Sequence, residues 1–327
     1  MKKIVMTQKV NDAGLKLAKD INFVDTNNPD PNNYLDEMQD ADGLIVRIAK
    51  CDKNVILNSP KLKVIGRTGV GYDSVDVKTA TEHGIPVIIT PGANSLSVAE
   101  HTLAFILSLS KNLVHQDKEC RNGNWEVRGS GDYFEVNGKT VGIIGLGAIG
   151  KYLSNMCQSL GMKVIWHDPF INDSLSEYGD KYDDYKELLK NSDFVSIHVP
   201  LTEDTENLIT INELKLMKKN SFIINASRGG LINEEDLINA LDNDIIKGAA
   251  LDVFVEEPVD MNNKLVQSDK VILTPHSAAQ TKEAVERMAE MCVKGCMAII
   301  NGEKWPYVAD KSVYDHEKWD GKNWAKI

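Results

Sequence analysis

Short apolar runs rich in β-branched residues recur along the 327-residue chain, each followed by a turn and a stretch of helical period. In the first third these runs are residues 3–7, 43–47, 63–66 and 86–90, with helical patterns at 12–19 and 75–83. The runs are apolar throughout instead of alternating. A strand reads that way when both faces are covered, as in a parallel sheet with crossover helices. A longer helical pattern starts near Ser95 and runs through Val98, Leu103, Ile106, Leu107 and Leu109. Residues 121–138, rich in Gly and Asn, read as a loop. The alternation then restarts at 140–144 and continues through 163–167, 194–199, 221–225, 248–253 and 271–274. Six successive strands are the complement of a full doubly wound sheet. A closing helical pattern over 282–301 ends at Gly302. The predicted class is therefore α/β, with two doubly wound parallel-sheet domains, because single cores stop growing near ~250–300 residues.

Composition removes several alternatives. A net charge of −11 argues against a nucleic-acid surface, which would be basic. The five cysteines are Cys51, Cys120, Cys157, Cys292 and Cys296, with no C-x-x-C pair, so no metal site is expected. The first residues, MKKIVMTQKV, lack the apolar core of a signal peptide, and no long apolar run suggests a membrane span. The expected location is the cytoplasm. The tail over 303–327 carries Trp305, Trp319 and Trp324 among charges and is expected to pack back on the first domain.

Within the second set of runs stands VGIIGLGAIG, residues 141–150, which places Gly145, Gly147 and Gly150 in a G-x-G-x-x-G spacing just after a strand. The first glycine permits a tight turn, the second a close backbone approach to a pyrophosphate, and the third close packing of helix on strand. The helix that follows, read at 149–160, aims its N-terminal N–H groups at phosphates. The next run, KVIWHD, ends in Asp168, about where a ribose-binding acid belongs. A carboxylate there accepts both ribose hydroxyls and repels a 2′-phosphate, so the expected cofactor is NAD and not NADP.

Ligands of such sheets sit at the carboxyl ends of the strands. Three successive strand ends carry Ser227-Arg228, Glu256-Glu257-Pro258 and Pro275-His276. An arginine, a carboxylate and a histidine on one rim suit ketone reduction. The histidine protonates the oxygen on which charge builds, the carboxylate orients it, and the arginine grips a substrate carboxylate with two hydrogen bonds.

These residues resemble the D-isomer-specific 2-hydroxyacid dehydrogenases. The likeness rests on GRTGVGYDSVD, GANSLSVAEHTL, GKTVGIIGLGAIG, WHDPF, HVPLTEDTENLI, NASRGGLINEEDL, GAALDVFVEEP and LTPHSAAQT, in that order, from about residue 43 to 301. The resemblance implies a flavodoxin-like substrate domain (1–100 plus 285–327) into which an NAD-binding Rossmann domain (101–284) is inserted. It implies Arg228 as the substrate-binding arginine, Glu257 as the partner of the catalytic histidine, and His276 as the acid/base. It implies that Ala148, Ile149, Val199, Pro200, Thr205, Ala226, Ser227, Asp252 and Ser277 line the cofactor, with Asp252 near the nicotinamide amide. Val70 and Gly71 would hold the substrate carboxylate through their backbone, and Asn94 and Arg47 would face the substrate. A homodimer through the cofactor domain is implied as well.

The likeness is greatest to a short phosphoglycerate-dehydrogenase-like form, with departures. The usual V-R-S is Val46-Arg47-Ile48 here, which keeps the positive charge for a distal anionic group and drops a hydroxyl. The usual P-H-I-G-G-x-T is Pro275-His276-Ser277-Ala278-Ala279-Gln280-Thr281. A hydroxypyruvate or glyoxylate reductase is the alternative substrate assignment. A corepressor-like NAD sensor is the alternative of another class.

Overall fold

A computed structural model describes residues 1–171, 175–323 and 325. Its contacts divide the chain into two units, Met1–Asn94 with Gln280–Ile327, and Ser95–Ala279. The divisions fall earlier in the chain than the 100/101 and 284/285 read from sequence. The whole helix Ser95–Lys111 packs in the second unit, and residues 280–284 pack in the first. Hydrophobic periodicity locates a helix but does not say which core its first turn joins.

The first unit is a five-stranded parallel sheet of β1 (Lys2–Met6), β2 (Ile21–Asp25), β3 (Gly43–Val46), β4 (Val64–Arg67) and β5 (Val87–Ile88). Its order, β2-β1-β3-β4-β5, is that of flavodoxin-like sheets. Neighbouring residues of one strand feed opposite cores. Ile4, Met6 and Ile45 join one cluster with the helix Lys282–Ile300, while Val5, Leu44 and Val46 join another with Tyr34 and Val55. That is why the runs carry no polar alternation. Cys292 and Cys296 lie buried in the first of these cores.

The tail completes this unit. Val308 bridges Ile88 antiparallel, the Ile89 N–H donates to Tyr307 O and the Ala309 N–H donates to Val87 O, so the β5 edge is covered. Trp305 and Trp319 are buried, and Trp319 Nε1 donates to Gly84 O at 3.0 Å. Trp324 lies outside the described residues. Truncating a buried tryptophan costs about 3–5 kcal/mol. Trp319→Ala is therefore expected to lower the denaturant midpoint of the first unit clearly. An unchanged midpoint would mean that the tail adds nothing to the core.

The second unit is a seven-stranded parallel sheet of β6 (Thr140–Ile144), β7 (Lys163–His167), β8 (Asp180–Lys181), β9 (Phe194–Ile197), β10 (Phe222–Asn225), β11 (Gly248–Leu251) and β12 (Val271–Leu273). The order β12-β11-β10-β9-β6-β7-β8 is the doubly wound dinucleotide order with one further strand. Val141, Ile143, Phe194 and Phe222 pack on one face, and Ile144, Val195, Ile197 and Ile223 on the other.

Sequence reading missed the strands β2 and β8. It also read the helix 12–19 too long; it ends at Leu15. Residues 121–138 are not all loop, since a 3-10 turn covers Trp125–Gly129. The helix Ser95–Lys111 breaks at Asn112, which sits at φ 50° before a second helix, Leu113–Arg121. Asparagine tolerates that left-handed geometry better than most residues.

Candidate active site

Because the second sheet is wholly parallel, its strands end on one edge. The turn after β6 opens at Gly145, whose φ of 95° admits glycine and few others. A Cβ there would lie 2.8 Å from His198 O, and one on Gly150 would lie 2.4 Å from Gly145 O. Those two glycines are demanded by the chain itself. Gly147 differs: a Cβ on it would meet nothing within 4 Å. It has an ordinary backbone and opens the helix Ala148–Ser159 with no side-chain cap, and the N–H groups of that first turn, at Ala148 and Ile149, have no acceptor within the helix. That space beside a helix N-terminus fits a pyrophosphate.

Asp168, just past β7, accepts from Leu146 N and Phe170 N, both at 3.0 Å. Its carboxylate thus ties the end of β7 to the glycine turn. Val199 lies against Gly145, and its carbonyl accepts from Ser227 Oγ at 2.6 Å. Thr205 Oγ1 donates to Pro200 O at 2.7 Å, closing the loop after β9. His198, just before Val199, is neutral at ordinary pH because burial pushes its imidazole down to about 4.

The three charged residues follow β10, β11 and β12. Asn225, at the end of β10, accepts from Ser227 N and donates to Arg228 O at 2.7 Å, latching the turn Ala226-Ser227-Arg228. Glu257 Oε1 accepts from Phe254 N at 3.0 Å, which leaves Oε2 for His276 Nδ1 at 2.7 Å. Burial alone would raise the Glu257 carboxyl. The His276 hydrogen bond, the Phe254 N–H and the charges of His276 and Arg228 outweigh it and hold the carboxyl below its usual range. Facing a carboxylate, Nδ1 carries a proton, so Nε2 is the nitrogen that can exchange one with a substrate oxygen. The His276 side chain is 43% exposed, enough for that exchange. Its backbone sits at φ 51°, a disfavoured region, held by N–H bonds to Asp252 O at 2.8 Å and Thr274 O at 3.1 Å. Ser277 N donates to Asp252 Oδ1 at 2.8 Å.

Residues 103–278 match the profile of the D-isomer specific 2-hydroxyacid dehydrogenase NAD binding domain. The chain belongs to that family. It is 39% identical over 307 residues to a D-3-phosphoglycerate dehydrogenase of Methanocaldococcus jannaschii, covering 93% of this chain and 58% of that protein. It is 36% identical over 323 residues to a glyoxylate reductase of Thermococcus litoralis, covering 95% of this chain and 97% of the relative. A solved structure of an NADPH-dependent glyoxylate/hydroxypyruvate reductase from Sinorhizobium meliloti, in complex with citrate, superposes with a TM-score of 0.81 at 27% identity, covering 91% and 94% of the two chains. The second unit is thus the family's NAD-binding domain.

The remaining expected site residues lie at the carboxyl ends of the first sheet. Arg47 directly follows β3 and donates to Gln280 Oε1 at 2.5 Å. A small cavity of about 40 Å³ there is lined by Gln8, Lys9, Arg47, Thr68 and Gln280 among others, and Gln8 Oε1 is buried without a partner. Val70 and Gly71 lie in the loop after β4, anchored where Thr90 N donates to Gly69 O. The buried Oδ1 of Asn94 also lacks a protein partner. Sequence reading did not single out Asn225, His101 or Gln280. Gln280 stands at the unrestricted position of the family motif, so nothing in the sequence marked it.

Proposed function

We propose that the protein interconverts a small D-2-hydroxy acid and its 2-keto acid with NAD(H). The observation that carries this reading is the 2.7 Å His276–Glu257 pair on the same sheet edge as Arg228 and the glycine turn. When bound, the nicotinamide cofactor supplies or takes up the hydride. In the reducing direction, Arg228 holds the substrate carboxylate with two hydrogen bonds. His276 donates its Nε2 proton to the carbonyl oxygen as negative charge develops there, and Glu257 stabilises the imidazolium before the transfer. Asp252 and Ser277 set the loop at the nicotinamide end, and Ala148, Ile149, Val199, Pro200, Thr205, Ala226 and Ser227 line the remaining length.

Asp168 favours NAD by accepting ribose hydroxyls and repelling a 2′-phosphate. Asp168→Ala is expected to shrink the NADH-over-NADPH preference by about 10- to 100-fold, the worth of hydrogen bonds to a charged group. An unchanged ratio of kcat/KM values would assign the choice of cofactor to another residue.

For the substrate, we favour one with a small distal anion. Arg47 and Lys9 bring positive charge to a small cavity whose other walls include Val10, Ile45, Val285 and Met288. The second reading is glyoxylate or hydroxypyruvate reduction, favoured by the near-complete match to a glyoxylate reductase. The two separate on Arg47→Ala. If the pocket takes an anion, the variant loses about 10- to 100-fold in kcat/KM for 3-phosphohydroxypyruvate, sulfopyruvate or oxaloacetate and much less for glyoxylate. Equal effects on all of them would return Arg47 to a structural role. We also read the chain as a homodimer through the second unit, where Leu113, Val114 and Trp125 are exposed. Among the described residues no helix is long and apolar enough to cross a membrane.

A further inference from the structure

The loop that presents His276 hangs on a single buried side chain. Asp252 is 1% exposed. Its Oδ1 accepts from Thr274 Oγ1 at 2.5 Å and Ser277 N at 2.8 Å, and its Oδ2 from Ala278 N at 3.0 Å. Its backbone oxygen accepts from His276 N at 2.8 Å. From Thr274 to Ala278, every residue but Pro275 is bonded to Asp252. The Thr274 hydroxyl has one proton, which goes to the carboxylate. Its contact with His101 Nε2, at 3.0 Å, therefore has the histidine as donor. The same Nε2 stands 3.8 Å from Asp252 Oδ1. His101 lies on the helix Ser95–Lys111 of the same unit, its ring held edge-on to Phe105 with centroids 4.5 Å apart.

We propose that His101 is a positioning residue for His276, acting through Thr274 and Asp252. Its N–H fixes the rotamer of Thr274, so that the hydroxyl proton points at Asp252. A buried carboxylate is costly unless its lone pairs are filled, so each donor tightens the arrangement. The backbone at His276 sits in a disfavoured region and needs that over-determination. Without the His101 donor, Thr274 can turn away, Asp252 loses one of three donors, and the imidazole no longer holds one position against the substrate oxygen. The proposal rests on reading His276 as the proton donor.

The test is steady-state keto-acid reduction by five variants of this chain, each checked for its thermal midpoint, with NADH affinity read by fluorescence. His101→Leu and Thr274→Val are each expected to lower kcat by about 10- to 100-fold, the cost of a small misplacement at a reacting centre. NADH affinity should largely persist, because the glycine turn and Asp168 stand on other strands. The double variant should be little worse than either single one, because both remove the same link. His101→Gln, which keeps an N–H at the same reach, should recover most of the activity. Losses that multiply in the double variant would overturn the proposal. So would a glutamine variant as poor as the leucine one at equal thermal midpoint, or full activity in Thr274→Val. Should His276→Ala itself keep its activity, the underlying reading fails, a result distinct from failure of the His101 link.

Discussion

Replacing His276 with alanine is expected to lower turnover by about 100- to 10,000-fold, the usual worth of a positioned general acid. NADH should still bind, because the glycine turn, Asp168 and the loop after β9 are untouched. The loss should fall on kcat and kcat/KM together, as for an interaction made only in the transition state. Glu257→Gln should produce a smaller loss, since Oε2 would still meet the ring without stabilising its charge. The pH dependence follows from the carboxylate. The folded-state value of Glu257 is held below its ordinary 4.5. Its contribution to stability is therefore present in full above about 4.5 and is lost as the pH falls through the lowered folded value. The pair should persist in mild acid, and an acid limb assigned to Glu257 should lie below that point. Turnover retained in His276→Ala would remove this residue from the chemistry.

The second large effect separates two glycines of one motif. Gly150→Val would push its Cβ into Gly145 O, a backbone atom 2.4 Å from the first added carbon. Forced overpacking of that kind costs roughly 1–3 kcal/mol, so the second unit should melt earlier. Gly147→Val adds its atoms where the protein has none. That variant should fold with a nearly unchanged midpoint yet bind NADH at least about 100-fold more weakly, because the side chain takes the pyrophosphate's place. Isothermal titration beside thermal melting would show the split. Equal NADH affinity in Gly147→Val would mean that the space beside the helix start is not the phosphate site.

Much of this architecture could be read before any coordinates. Strands buried on both faces leave uninterrupted apolar runs, which is why β1, β3 and β4 and the central strands of the second sheet stood out. Edge strands leave weaker marks. β2 is half exposed and carries Asn22, and β8 has only two residues, so neither builds a recognisable run. The glycine turn and the trio were legible because chemistry restricts residue type there and topology places strand ends together. His101, Asn225 and Gln280 make only one or two side-chain hydrogen bonds each, with common polar groups. Nothing in local periodicity marks which hydroxyl or carbonyl such a side chain will meet. The division between units escaped for a related reason: helical period is the same whichever core the helix joins.

The central claim is NAD-linked reduction of a 2-keto acid at His276, and one measurement tests it most directly. NADH oxidation would be followed by absorbance with glyoxylate, hydroxypyruvate, pyruvate, oxaloacetate, sulfopyruvate and 3-phosphohydroxypyruvate in turn. The account predicts turnover with at least one of them, faster with NADH than with NADPH, giving the D-hydroxy acid. NADH that binds tightly and is never oxidised across the whole panel would contradict it, and would instead mark a dinucleotide sensor built on a dehydrogenase fold.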